Sequence, residues 1–129
     1  MGDIRRKLFA PTVTEKFAFL VEECGCVGPT VTDNWPANRP GVLDAVYHCR
    51  DFNVEITLSV GYGGDSEVEV FLIRPPSNTG HERRVDLLAY ELGLAKSQSV
   101  PLGARTGYQL RHSLTVQATL TRRLIPTAA

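Results

Sequence analysis

The chain has 129 residues, 43% of them hydrophobic and 22% charged, which is too apolar for a disordered protein and long enough for one domain with its own core. Fourteen basic residues balance fourteen acidic ones, so no global field draws it to nucleic acid or an anionic membrane. No run approaches the ~18 consecutive apolar residues of a membrane span.

The opening residues, MGDIRRKLFAPT, carry basic charge with no apolar run behind it, and a secretory signal is not expected. Residues 1–11 read as a flexible arm. Thr12-Val13-Thr14-Glu15 then has the form of a capping box, and Val13, Phe17, Leu20, Val21 and Cys24 follow at helical spacing up to Gly25. Phe19 lies off that stripe; it either meets a second element or stays exposed. Pro29 confines Val27 to Asp33 to an edge strand or a loop, because proline cannot donate to an interior ladder. The turn-rich stretch DNWPANRPG holds Trp35, which either tucks onto the core or anchors a partner.

Three segments with a period of two come next. Leu43, Ala45, Tyr47 and Cys49 form one inner face, Val54, Ile56, Leu58 and Val60 the second, and Val68, Val70 and Leu72 the third. A four-residue turn over 50–53 would set Cys49 opposite Val54 and Tyr47 opposite Ile56, and hence His48 opposite Glu55. The next hairpin would set Val60 opposite Val68 and Leu58 opposite Val70. Its turn, Gly61-Tyr62-Gly63-Gly64-Asp65, resembles a phosphate loop only in its glycines. It joins two strands that pair, and Asp65, Glu67 and Glu69 would repel a phosphate.

After PPSNTG, the residues Val85, Leu88, Ala89 and Leu92 mark a helix closed by Gly93, with Arg83 and Arg84 in its first turn. Thr106-Gly107-Tyr108-Gln109 resembles a second capping box, before Leu110, Leu114, Ala118, Thr121 and Ile125 at helical spacing. Length and cap favour a helix over 107–125, while the alternation of Leu114, Val116, Ala118 and Leu120 keeps a strand open. The fold class is therefore α+β: an N-terminal helix, an antiparallel meander of three to four strands, then one or two C-terminal helices packed on one sheet face, all in a single domain.

Chemistry is sparse. His48 beside Glu55 is the minimum for acid–base work, but no activated nucleophile accompanies it, and an ordinary cross-strand pair is the simpler reading. Cys24, Cys26, His48 and Cys49 could be drawn as a zinc set. The single residue between the first two cysteines, and the opposite faces taken by neighbours in a strand, argue against it. No metal and no cofactor is expected. The odd number of cysteines points to reduced thiols and a cytoplasmic location, with Cys24 and Cys49 as small buried apolar residues. Arg5, Arg6, Lys7, Arg111, Arg122 and Arg123 read as solvated termini and helix faces, so nucleic acid is not expected as a partner. The outer sheet face carries more signal: Val46, Phe71 and Ile73 share it with Glu55, Thr57, Glu67 and Glu69. Either the C-terminal helix covers part of that face, or it is a binding surface with an apolar centre and an acidic rim.

With the stretches FAFLVEECG, VEITLSVGYGGDSEVEVFLIR and VDLLAYELGL, the chain resembles the small α+β immunity proteins of bacterial polymorphic toxin systems, over roughly Val13 to Leu94. The resemblance implies a non-catalytic protein that binds and neutralises a cognate toxin, offering acidic and aromatic groups to a basic cleft. On the strand register, Glu55, Thr57, Glu67, Glu69 and Phe71, with Tyr62 and Asp65 on the adjoining turn and Trp35 in its loop, would suit that role. Secretion chaperones and adaptors of similar layout, a homodimer, and a small hydrolase using His48 and Glu55 remain alternatives.

Overall fold

A computed structural model describes residues 4–34, 41–61, 66–74, 82–96 and 99–128, with side chains as far as 125. The elements are α1 (Ile4–Lys16), α2 (Ala18–Glu22), β1 (Val27–Asn34), β2 (Val42–His48), β3 (Asn53–Val60), β4 (Ser66–Ile73), β5 (Glu82–Arg84), α3 (Val85–Glu91) and α4 (Gly107–Ala128). The five strands form one antiparallel sheet in sequence order. This is the expected α+β layout, with more strands than expected because Val27–Asn34 and Glu82–Arg84 both join the sheet.

Helix formation starts at Ile4, upstream of the box at Thr12, so residues 4–11 are helical where an arm was expected. Phe9 is the reason: with Val13 and Phe17 it lines the buried face, and all three are fully buried. Thr12 is itself buried in mid-helix and caps nothing; its hydroxyl accepts from Arg111 Nη1 at 3.5 Å. The chain breaks helical geometry at Phe17, and the new phase turns Val21 outward and Phe19 inward. Phe19 does meet a second element. Its ring lies 6.1 Å from that of Phe17, and the Arg122 guanidinium of α4 sits 5.6 Å over it. Gly25 then takes φ +70°, where a side chain would be strained, and the Cys26 N–H bonds to Leu20 O.

Cys26 and Cys49 are joined by a disulfide, with Cα atoms 4.2 Å apart. Three reduced thiols were expected; Cys24 alone remains free, and burial with the neighbouring Glu23 charge raises its pKa. The bond continues the β1–β2 ladder past the Val27–His48 pair, across a bulge between Val27 and Thr30. There Gly28 has φ +140° and lies so close to β2 that a Cβ would stand 2.8 Å from Val46 O.

The inner sheet face carries Leu43, Ala45, Tyr47, Val54, Ile56, Leu58, Val68, Val70 and Leu72, all buried, and α1, α3 and α4 contribute to the same core. Both hairpin registers differ from expectation by two residues. The observed pairs are Tyr47–Val54, Ala45–Ile56, Leu58–Val68 and Ile56–Val70, with Val60 facing Ser66. In the first hairpin the four-residue turn slides to 49–52, where the Cys49 N–H bonds Phe52 O at 2.9 Å and the disulfide holds Cys49. In the second, β4 already starts at Ser66. That side chain is buried, donates to Ala104 O and accepts from Arg5 Nη1. A slip of two preserves every inward and outward assignment, which is why the faces are right although the partners are not.

Arg83 and Arg84 lie in β5, not in a helix; α3 starts one residue later and ends at Gly93, whose φ is +76°. The final segment is a helix. Gln109 N–H donates to Thr106 Oγ1 at 3.0 Å, and Gln109 Oε1 accepts from Arg105 N–H at 2.9 Å, a reciprocal cap. Replacing Thr106 with alanine should cost about 1 kcal/mol, read as a fall of roughly 3–5 °C in a thermal melt. Inside the core, α4 presents Ser113, Gln117 and Thr121 in one row. Gln117 Nε2 donates to Val68 O at 2.8 Å and docks the helix on β4.

Candidate functional site

Opposed residues in an antiparallel pair share a face, so the outer surface can be read in rows across the strands. One row runs Thr30, Val46, Glu55, Phe71, Arg84; the next runs Thr32, Asp44, Thr57, Glu69. Flanking them are Asn34, Val42, Ser59, Glu67 on one side and Val27, His48, Asn53, Ile73, Glu82 on the other. Helix α4 docks on the inner face, and Val46, Phe71 and Ile73 stand outside the core cluster, part-exposed. The C-terminal helix therefore does not account for these apolar groups.

The structure brings Glu55, Thr57, Glu69 and Phe71 into the middle of one surface, with Glu67 exposed at its end. Trp35, Tyr62 and Asp65 lie outside the described residues. His48 faces Asn53, not Glu55, because of the two-residue register difference, and Glu55 faces Val46 and Phe71. The arrangement also departs from an apolar centre with an acidic rim: carboxylates and apolar side chains alternate through the centre.

Asp44, unremarked in the sequence, is the missing neighbour. It accepts from Thr57 Oγ1 at 2.8 Å and is hydrogen-bonded to the Glu55 side chain. That bond, then burial, then the charges of Asp44 and Glu82 push the Glu55 carboxyl up to about 7. The outward phase of Asp44 was readable from its place between Leu43 and Ala45. Its proximity to Glu55 required the register.

Arg84 is the only arginine or lysine among the described strand residues of this face. It bonds Asp86 at 2.6 and 2.9 Å and Glu69 at 3.0 Å, which raises its pKa and leaves the Asp44–Glu55 pair without a cation from the sheet. A cleft of about 590 Å³ opens beside Ser59, Glu67, Glu69, Arg105 and Gln109, and another of about 430 Å³ beside Leu87, Tyr90, Val100 and Leu102. Among the described residues no group of three or more His, Cys, Asp or Glu could hold a metal ion, and no helix is long and apolar enough to cross a membrane. Comparison with family models, with curated proteins and with solved structures finds no match to this chain.

Proposed function

We propose that the protein is a non-catalytic protein-binding module whose outer sheet face engages a basic surface on its partner, and that its specific role is that of an immunity protein neutralising a bacterial toxin. One observation carries this reading. Val46, Phe71 and Ile73 lie outside the core beside Asp44, Glu55 and Glu69, and Arg84, the one cation among the described strand residues of this face, is already held by Asp86 and Glu69. Apolar groups supply the desolvation term of an interface, and the Asp44–Glu55 pair, which no cation of the described strands neutralises, supplies complementarity to a basic catalytic cleft, raising on-rate and specificity. The hydrolase alternative loses its directly opposed pair, because His48 faces Asn53 and Glu55 faces Val46. The Cys26–Cys49 bond also removes the cysteine count as an argument for a reducing cytoplasm.

The test uses the product of the neighbouring reading frame, which this reading expects to carry a toxin-like domain. Wild-type protein should bind it and restore growth. Phe71→Ala and Glu67→Lys/Glu69→Lys should each weaken binding by roughly 10- to 100-fold, while Glu91→Lys on α3 should leave it unchanged. Equal binding by all four proteins would end the reading.

A further inference from the structure

The sheet's two edges are treated differently. Beyond β4 lie β5 at residues 71–73 and the segment 102–104, which bonds Ser66 and Val68 and bridges Glu67 to Gly103. Strand β1 forms the other edge, and every residue in it except Pro29 is exposed. Its first half is blunted by the bulge and by a proline without an N–H. Its second half, Thr30 to Asn34, pairs with β2 in unbroken register and contains neither proline nor lysine. Val31 is opposed to buried Ala45 on the helix side of the sheet, yet it is 42% exposed.

We propose that Thr30–Asn34 pairs antiparallel with the same segment of a second copy across a two-fold axis near Thr32, making a continuous ten-stranded sheet. Three features select a second copy over a foreign strand. The regular segment is symmetric in extent about Thr32, so the two-fold aligns it with itself end to end. Its one charge, Asp33, is already held by Arg6 at 2.8 Å, so self-pairing opposes no unneutralised like charges and offers a charged foreign segment nothing to select. The formal net charge of zero leaves no long-range repulsion between copies. The axis stands perpendicular to the sheet, so both outer faces look the same way and all helices lie on the other side.

Five residue pairs form a small contact, below the ~1,200 Å² of a standard interface. Association should therefore be weak and dependent on concentration, in the range of ~10 µM to ~1 mM. Sedimentation of the full chain should show the mean mass rising from 14.2 kDa toward twice that value, and hydrogen exchange should show protection growing with concentration at the amides of residues 30–34. Val31→Lys, at a position exposed enough to accept the charge, should weaken association by at least about tenfold with an unchanged melting curve. A wild-type chain that stays monomeric at 1 mM, or a dimer whose new protection falls outside β1, overturns the proposal. Should Val31→Lys fold poorly, the wild-type exchange pattern alone decides. Neither readout involves the toxin, so the pairing and the outer-face reading fail separately.

Discussion

Reduction of the Cys26–Cys49 bond, or its removal by Cys49→Ser, should lower the free energy of unfolding by about 3 kcal/mol, the chain-entropy estimate for a loop of this size. The two cysteines are 23 residues apart in sequence. The melting temperature should then fall by roughly 10 °C. The loss should also be uneven. Strand β1 is almost wholly exposed and contributes little burial of its own, while the bond fastens its start to the end of β2 beside the Gly28 bulge. Amide exchange in β1 should therefore accelerate on reduction far more than in β3, whose Val54, Ile56 and Leu58 are fully buried. A thiol count of one per unreduced, denatured chain, against three after reduction, checks the pairing itself. Equal melting with and without reductant would show that the bond does not hold this edge.

Stability should fall, not rise, as the pH climbs from about 4.5 to about 7. The Glu55 carboxyl is held at about 7, above its ordinary value of 4.5, by the Asp44 hydrogen bond first and by burial second. In that window the native state keeps a proton that the unfolded chain has released, so stability is highest below the unfolded pKa and levels off above the folded one. Glu55 is only part-buried, and solvent screening reduces the effect to about 1–2 kcal/mol. Glu55→Gln keeps a donor for Asp44 and removes the charge. It should therefore unfold at higher urea than wild type at pH 8 and match it at pH 4. Every other group contributes alike to both chains, so the difference between the two curves is the quantity to read. A difference that does not change between pH 4 and pH 8 would dissociate Glu55 from the effect. Loss of that proton adds a negative charge to the outer face, so affinity for a basic partner should rise over the same interval.

Period and punctuation carried the reading of the elements. The alternation from Val54 to Leu72 placed Val54, Ile56, Leu58, Val68, Val70 and Leu72 on the buried face, where they lie, because a strand's faces follow from backbone geometry alone. Gly25, Gly93 and the Thr106–Gln109 cap marked helix limits by local conformational preference and local hydrogen bonds. Phe9 is not legible in the periodicity, because Pro11 stands between it and the stripe that starts at Val13, and its burial against the other elements accompanies the helix over residues 4–11.

Everything that depends on which residues meet was left to the tertiary structure. The registers of β2 on β3 and of β3 on β4 are set by a disulfide to Cys26 and by a buried Ser66 tied to Arg5 and Ala104, all distant along the chain. The first of these anchors moves Glu55 from His48 to Val46 and brings Asp44 to its side. Sequence periodicity determines the direction in which a side chain points, since that is a local property of the backbone. Its neighbours across the sheet depend on long-range contacts that fix the register, and periodicity does not encode them.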